Sequence, residues 1–458
     1  MIPPARHATL LLIAGLAACG TGGPPQIPDA GGRQVAALSL LRWPANGGTP
    51  ALYRFPTLQA ALWQGRGTTV AIKRTIGVDV DQRQAYALDT HDGVVALDLE
   101  SGRSRTFLPK TLATDVGPDG TVLAVAGDRT LSAVSGRLPT PFTGKLPVIP
   151  VGLVGTGGDV AYALVPGDSG LVVATQGQAP HRVAFPARGA VHSRWGDVLA
   201  APEGEAVIVY EPGIAHSIQR IRLGAKPTGL AFSPSAHRLY VSTEGDAAIT
   251  RFDRYTWSRL GSIDLPGDGG ELRPDPLGRF LIVRAATGDS VWVVDVITDQ
   301  LQGSWTTSWR SDLPAIAGGR WLLARERGDV VAYDLFDPQF AVTGRVKGGA
   351  DDLWQVLDWA PRAEGATATG PEDSTAAATP ASGALTVYVQ LSSSQNPAWA
   401  DELAGKLKGQ GLPASVIRPK RQDEFYRVVL GPYTSREAAD SVGTRLGQPY
   451  FLYLPEDR

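Results

Sequence analysis

Four side chains near the carboxyl end of the chain have the chemistry of a sugar-binding surface: Tyr388, Gln390, Phe425 and Arg427. They alternate with apolar residues in two short segments, and the side chains of a strand alternate between its two faces. The apolar set therefore packs, and these four side chains point outward. Aromatic rings stack on the apolar faces of pyranoses, while amide and guanidinium groups hydrogen-bond hydroxyls and carboxylates. The pattern predicts a surface that recognises sugars.

The elements that would position these side chains follow the order strand, helix, strand, strand, helix, strand. Strands are predicted at residues 385–391, 414–417, 425–430 and 449–454. The first helix is predicted to begin at Asn396-Pro397, and the second at the capping box Thr434–Glu437. This order predicts a small α+β domain of the split βαβ type, in which two helices cover one sheet face and leave the other open.

Two motifs in this region carry a family resemblance. Val389-Gln-Leu-Ser-Ser393 with the helix after it, and Tyr426-Arg-Val-Val-Leu-Gly-Pro-Tyr433 with Ser435-Arg-Glu-Ala438, resemble a SPOR (sporulation-related repeat) domain. The resemblance covers residues 384–458. SPOR domains bind peptidoglycan glycan strands stripped of their stem peptides, which accumulate at division septa and other remodelling sites. The resemblance therefore implies a peptidoglycan-binding domain.

The same resemblance implies glycan-binding roles for four residues, which are Gln390, Ser393, Phe425 and Arg427. Two residues depart from the family pattern: Ser392 stands where glycine is usual, and Ser394 stands where an aromatic residue is usual. These departures bear on the local loop geometry and on the affinity of the site. The alternative is a generic βαββαβ domain whose open face contacts the rest of the protein.

The amino terminus has the pattern of a bacterial lipoprotein signal over residues 1–18. An early Arg6 precedes an apolar run that is too short to span a membrane as a helix. Leu16-Ala-Ala-Cys19 resembles the lipobox, which implies cleavage before Cys19 and attachment of diacylglycerol to its sulfur. Cys19 is the only cysteine of the chain, so it has no disulfide partner within it. The alternative is a plain signal peptide with an incidental cysteine.

Two tethers are predicted beside the folded parts. Residues 19–34 would hold the lipidated cysteine and a tether, and Gly20 in place of Asp favours the outer membrane, facing the periplasm, by the enterobacterial sorting rule. Residues 362–383 are rich in Ala, Thr, Gly, Pro and Ser, and such a segment cannot bury enough apolar surface to fold. As a flexible linker it would reach on the order of 25 Å.

Composition indicates a turn-rich extracytoplasmic protein between these tethers. The chain has 54 Gly, 35 Pro and 19% charged residues. Its net charge of −2 argues against nucleic acid or an anionic membrane surface as a partner. With 458 residues, the chain should hold more than one domain.

One β-hairpin with a glycine turn recurs along residues 35–361. Seven copies have turn glycines separated by 34, 40, 37, 41, 43 and 40 residues, at Gly93, Gly127, Gly167, Gly204, Gly245, Gly288 and Gly328. A period of about 40 residues in an all-β sequence is typical of propeller blades of four strands each. The segment is therefore predicted to be an all-β propeller.

An eighth hairpin, with strands at 35–41 and 51–55, lacks the inner strand that precedes each of the others. The segment Leu353–Trp359 at the other end of the array is a strand with no hairpin after it. Joining the two would complete one blade and close the ring, which removes exposed strand edges. Eight blades are therefore favoured, and seven are the alternative.

Two short segments of the array resemble known propeller families. Leu230–Val241 resembles the YVTN repeats of bacterial surface and periplasmic propellers, and Val95–Gly102 resembles a stretch of quinoprotein-like propellers. The latter group includes cofactor-free outer-membrane assembly lipoproteins. These resemblances identify a blade and no activity.

The array has no catalytic signature in its sequence. Its histidines lack the spacing of a zinc site, and there is neither a nucleophile elbow nor a phosphate loop. Arg325-Glu-Arg327 is either a solvated turn or the mouth of the central channel. We expect no cofactor, no metal and no enzymatic activity. The favoured function is a lipoprotein that holds an unknown protein partner on its propeller at division or remodelling sites. The alternative is a SPOR-targeted catalytic propeller, quinoprotein-like or lactonase-like.

Overall fold

The computed structural model describes residues 38–361 and 387–453, except for 68–69, 80–82, 119, 136–137, 157–158, 167–169, 195, 213–216, 395–396, 410, 420–425, 434–438, 440–441 and 444–450. Residues 1–37 lie outside the described residues. The predicted signal peptide, Cys19, the first tether and the linker 362–383 are therefore outside the described residues as well.

Strands of five or six residues dominate the described chain, because apolar β-branched runs alternate with glycine and aspartate turns. Those of residues 39–155 are β1 (Ser39–Trp43), β2 (Ala51–Arg54), β3 (Gln59–Gln64), β4 (Arg66–Gly67), β5 (Ile72–Asp79), β6 (Gln84–Asp89), β7 (Val94–Asp98), β8 (Arg103–Leu108), β9 (Thr111–Val116), β10 (Val122–Ala126), β11 (Thr130–Ser135), β12 (Leu138–Lys145) and β13 (Gly152–Gly155). Those of residues 160–264 are β14 (Val160–Leu164), β15 (Leu171–Thr175), β16 (His181–Val183), β17 (Val191–His192), β18 (Leu199–Glu203), β19 (Ala206–Glu211), β20 (Ser217–Arg222), β21 (Pro227–Phe232), β22 (Arg238–Thr243), β23 (Ala248–Asp253) and β24 (Arg259–Asp264). Those of residues 269–357 are β25 (Gly269–Pro274), β26 (Phe280–Ala285), β27 (Ser290–Asp295), β28 (Gln300–Thr306), β29 (Ala315–Ala317), β30 (Trp321–Glu326), β31 (Asp329–Asp334), β32 (Val342–Val346) and β33 (Leu353–Leu357).

These strands form eight consecutive sheets, which confirms the predicted propeller and its eight blades within the described residues. From the inner to the outer strand, blade 1 is β33-β1-β2-β3, blade 2 is β5-β6-β7-β8 with β4 added in parallel, and blades 3 to 8 start at β9, β13, β17, β21, β25 and β29 with four strands each. The first strands of neighbouring blades contact one another around the axis, for example β33 with β5, β5 with β9, and β9 with β13.

The ring closes by pairing the two ends of the array. β33 runs antiparallel to β1, with Leu353 opposite Trp43 and Leu357 opposite Ser39. The side chains of Trp43 and Gln355 add a hydrogen bond of 3.3 Å across the junction. The spare carboxyl-terminal strand thus supplies the inner strand that the first hairpin lacks, as the sequence predicted.

Glycine permits the tight turns between the second and third strands of several blades. Gly288 and Gly328 have φ values of 77° and 89°, in the left-handed region that other residues enter at a cost. The turns after the third strands use aspartate instead, since the Asp295 carboxylate accepts the backbone N–H of Ile297 at 2.9 Å. Both devices make a sharp reversal that keeps successive strands in one sheet.

Packing between blades forms the propeller core. In one such layer, Tyr240 and Ile249 of blade 6 pack against Leu281, Val283 and Trp292 of blade 7. Each of these side chains is buried. Both faces of a blade are therefore apolar, which explains why its central strands contain continuous apolar runs rather than an alternating pattern.

The carboxyl-terminal part forms one further sheet and a helix. Its elements are β34 (Val387–Ser394), α1 (Pro397–Gly409), β35 (Ala414–Ile417), β36 (Tyr426–Tyr433) and β37 (Phe451–Tyr453), with the sheet order β35-β36-β34-β37. Pro397 is the first residue of α1, where its missing N–H costs nothing. Gly411, with φ of 76°, ends the helix in a Schellman motif, in which the Leu412 N–H donates to the Leu407 carbonyl at 3.0 Å.

The second predicted helix lies mostly outside the described residues. Ala439, Val442 and Gly443 are helical, and Ala439 is fully buried in the core of this domain. Within the described chain, no helix has the length and apolar character needed to cross a membrane.

Candidate functional site

The open face of the carboxyl-terminal sheet is the candidate site, and strand register determines its composition. Gln390 of β34 lies opposite Val429 of β36, and Ser393 lies opposite Arg427. Directly opposed residues of an antiparallel pair share a face. Gln390, Ser393 and Arg427 therefore belong to one face, while Val428 and Leu430 point the other way into the core.

A β-bulge explains how residues three positions apart share this face. In a regular strand, Gln390 and Ser393 would point to opposite faces. The register shifts between Gln390 and Ser392, so that Leu391 is an extra residue on β34. The bulge reverses the parity after Leu391 and returns Ser393 to the side of Gln390.

An aromatic pair extends this face beyond Gln390. Tyr388 of β34 lies opposite Tyr453 of β37, and their ring centroids are 6.4 Å apart. The Arg427 guanidinium reaches across β34 to the Tyr453 ring, 5.0 Å from its centroid. This distance is within the range of a cation–π contact, which holds the guanidinium over the sheet. We call the surface of Tyr388, Gln390, Ser393, Arg427 and Tyr453 the open face.

The opposite side of the sheet is a packed core, as the sequence predicted. Its fully buried members are Val387, Val389, Ala400, Val428, Leu430 and Ala439. Trp399 of α1 is also buried there, 7% exposed, and it lines a crevice together with Ser394. The tryptophan thus supplies a large ring beside the position where the SPOR pattern usually has an aromatic residue.

Two of the predicted site residues are described only in part or not at all. The backbone of Ser393 is in β34, whereas Phe425 lies outside the described residues. Tyr453 is the member of the open face that the sequence analysis missed. The alternation of side chains along the fourth predicted strand indicates which face Tyr453 occupies. The pairing of β37 with β34, which brings Tyr453 beside Tyr388, follows from tertiary packing alone.

The helix side of this domain contacts the propeller. The Ser392 hydroxyl lies 3.3 Å from His237 Nε2, and the His237 ring lies 6.4 Å from Trp399. Glu402 of α1 pairs with Arg194, and Lys406 lies 3.7 Å from Asp358. These contacts involve the core side of the sheet, so the open face points away from them.

The two ion pairs place α1 over one end of the central channel. Arg194 follows β17, the first strand of blade 5, and Asp358 follows β33, the first strand of blade 1. Blades 1 and 5 stand on opposite sides of an eight-bladed ring. A helix that contacts both within one turn, at Glu402 and Lys406, therefore lies across the channel mouth.

His237 is the titratable residue at the centre of this contact. Burial lowers its pKa to about 4, and the positive charge of Arg254 acts in the same direction. The imidazole is therefore neutral at pH 7. A neutral ring can share a hydrogen bond with the Ser392 hydroxyl without placing a charge against Trp399.

Arg325 in the propeller is a structural residue rather than part of a solvated turn. Its guanidinium donates to the Asp312 carboxylate at 2.6 Å, and the two side chains are 5% and 0% exposed. Asp312 also accepts the backbone N–H of Trp354 at 2.8 Å. The pair thus connects blade 8 to the closing strand of blade 1. Among the described residues, no group of three or more His, Cys, Asp and Glu side chains could hold a metal ion.

Comparison with known proteins agrees with both parts of the fold. Residues 386–451 match the SPOR domain family. Dihydro-heme d1 dehydrogenase NirN in complex with DHE is similar with a TM-score of 0.50 and 14% identity, over 70% of this chain and 75% of that one. AztD of Citrobacter koseri is similar with a TM-score of 0.53 and 12% identity, over 71% of this chain and 99% of that one. At such identities these likenesses show the propeller fold alone. A comparison with curated protein sequences found no match.

Proposed function

We propose that this chain is a lipid-anchored lipoprotein of the bacterial cell envelope, whose SPOR domain binds denuded peptidoglycan strands and so brings the propeller to division or remodelling sites. Residues 386–451 match the SPOR domain family, and SPOR domains bind peptidoglycan. The observation that supports binding to denuded strands is the open face, where Gln390 and Arg427 lie on one surface with the ring of Tyr453.

The open face has suitable groups for a sugar chain without peptides. The Tyr388 and Tyr453 rings can pack against the apolar faces of pyranoses, and the Gln390 amide can both donate to and accept from hydroxyls. Arg427 can bond a carboxylate with two parallel N–H donors, and N-acetylmuramic acid carries such a group once its peptide is removed. We expect Ser393 and Phe425 to contribute at the same end of the face.

The anchor at Cys19 would make a weak glycan site effective. Several acyl chains hold a protein at a membrane stably, whereas one chain alone is marginal. With the lipid in the outer membrane and the SPOR domain on the glycan, the second contact becomes intramolecular and its effective concentration rises. The linker 362–383 and the tether 19–34 set the distance between the two contacts.

The propeller is proposed to be a scaffold for a protein partner. Its most buried carboxylates have structural roles: Asp312 bonds Arg325 and Trp354, and Asp275 accepts the backbone N–H of Leu277 at 2.7 Å. The alternative is a catalytic propeller carried to the wall by the SPOR domain. Metal analysis of the purified chain would show bound calcium if that alternative held.

The test is co-sedimentation of the full chain, in detergent, with intact and amidase-treated sacculi. Amidase removes stem peptides, so bound protein should increase after treatment. Gln390→Ala and Arg427→Ala should each weaken binding about tenfold, the value of one charge-assisted hydrogen bond or of two neutral ones.

Arg418→Ala is the matched control. Arg418 is an exposed arginine of the same domain, but its guanidinium lies on the helix side, 3.0 Å from Asp401 of α1. Its removal should leave sedimentation unchanged. Equal sedimentation of the wild type and the Arg427 variant would refute the assignment of the open face.

A further inference from the structure

A cavity of about 200 Å³ lies in the propeller, where the first strands of blades 2, 3 and 4 begin. Its walls include the starts of β5 and β9 and the residues just before β13. The first strands of all the blades run in the same direction along the propeller axis. The SPOR domain contacts loops that follow first strands, so the cavity lies at the opposite end of the ring and is independent of the glycan site.

An arginine with few partners lies in the cavity wall. Arg74 of β5 is half-buried, and its Nη2 donates to the Thr114 carbonyl at 3.2 Å. This is the guanidinium's only hydrogen bond among the described residues. Burial lowers the pKa of Arg74, and the attraction of Asp115 offsets this only in part. The guanidinium therefore has donors to offer to an anion.

A second cation lies at the cavity edge. Lys73 Nζ is 2.9 Å from Asp92 Oδ1, and both side chains are more than half exposed. Exposed pairs of this kind contribute little free energy, so Lys73 can turn toward a ligand at small cost. Thr114 is 5% exposed, and its hydroxyl has no hydrogen-bond partner within the described chain. The polar wall of the cavity therefore contains a group that a ligand could hydrogen-bond.

Apolar side chains border this polar wall. Leu112 is 42% exposed and Val151 is 67% exposed, although both are large apolar residues beside the cavity. Leu88 contributes a buried apolar surface further in. A ligand that satisfies all of these groups must have an anionic end and a short apolar part.

We propose that this cavity binds a small organic acid, whose carboxylate contacts Arg74 and Lys73 and whose apolar part lies against Leu112 and Val151. The size of the cavity agrees with a small ligand, since pockets for drug-sized molecules are usually about 300–1,000 Å³. The proposed glycan function does not depend on this cavity. An experiment can therefore contradict one of the two proposals without contradicting the other.

The experiment is calorimetric titration of the full chain, in detergent and at low salt, with hexanoate and with hexan-1-ol as the uncharged probe of the same length. We expect hexanoate to bind and hexan-1-ol to bind at least about tenfold more weakly. Arg74→Gln, which keeps a donor toward Thr114 but removes the charge, should weaken hexanoate binding by a similar factor. Val151→Asp, at an exposed position, should do the same by repulsion.

Arg103→Gln is the matched control, because Arg103 is an exposed arginine of the same blade on its outer strand β8. It should bind hexanoate as the wild type does. The proposal is wrong if hexanoate fails to bind the wild type, if the alcohol binds as well as the acid, or if folded Arg74→Gln and Val151→Asp retain full affinity.

Discussion

At the level of single residues, the proposed glycan site depends on how Arg427 is held. Its guanidinium crosses a whole strand to reach the Tyr453 ring at 5.0 Å. The tyrosine therefore orients the arginine, and in the proposed site its own ring would also stack on a sugar.

Two substitutions of Tyr453 distinguish the contributions of its ring from hydrogen bonding by its hydroxyl group. Tyr453→Ala should weaken binding to denuded glycan about five- to thirtyfold, since a cation–π contact and ring stacking are each worth roughly 0.5–1 kcal/mol. Tyr453→Phe keeps the ring and should bind within about twofold of the wild type. Titration with glycan strands measures both, and a loss in the Phe variant equal to that in the Ala variant would contradict the role of the ring.

His237 should make the stability of the chain sensitive to acid. Its folded pKa of about 4 lies below the ordinary value of 6.5, so the unfolded chain binds more protons between these values. Stability is therefore fully present above about pH 6.5 and decreases as the pH falls toward 4, by about 2 kcal/mol at pH 5.

Urea unfolding at pH 7 and pH 5 measures this dependence. His237→Phe keeps a ring against Trp399 and should reduce the difference between the two pH values, whereas His91→Phe, on an exposed turn, should not. An unchanged difference in His237→Phe would show that other groups cause the acid sensitivity.

At the element scale, the closing strand β33 determines whether the ring holds together. Trp354 of this strand is 1% exposed, and its ring lies 5.7 Å from Tyr53 of blade 1. It also packs with Leu323 and Ala332 of blade 8, so one side chain joins the last blade to the first.

Trp354→Ala should lower the free energy of unfolding by about 3–5 kcal/mol, the usual cost of emptying a buried tryptophan site. Leu301→Ala, on the outer strand β28 with 41% exposure, should cost less than about 1 kcal/mol. Urea denaturation compares the two. A similar small loss in both variants would mean that the closure does not depend on this packing.

Much of the fold was predictable from the sequence, because glycine turns and apolar runs are local signals. The missing strand of the first hairpin and the spare strand Leu353–Trp359 even predicted the closure. The bulge at Leu391 was not predictable, since it depends on how β34 pairs with β36. The contact of α1 with the propeller was missed for the same reason: Trp399 and Glu402 read as ordinary helix residues until their partners are known.

At the scale of the whole molecule, the SPOR domain lies on the propeller by its helix side and presents the open face outward. The contact rests on His237, Trp399 and two ion pairs, and α1 crosses one channel mouth. The proposed glycan site and the propeller contact therefore lie on opposite sides of one small domain. A partner of the propeller would have the other end of the ring available.

Charge reversal should test this arrangement without touching the open face. Glu402→Arg places a cation against Arg194 and removes one of the two carboxylate partners of Lys406, so the domain should separate from the propeller. Small-angle X-ray scattering should show a larger radius of gyration, and Arg194→Glu in the same chain should restore the compact value. Arg418→Glu, at an exposed position outside the contact, should leave the radius unchanged.

Calorimetric titration of the full chain with purified glycan strands, with and without stem peptides, tests whether the open face recognises denuded glycan. We expect measurable binding to peptide-free strands, much weaker binding to strands that keep their peptides, and loss of the former in Arg427→Ala but not in Arg418→Ala. Equal affinity for both kinds of strand, or full affinity in Arg427→Ala, would contradict this expectation.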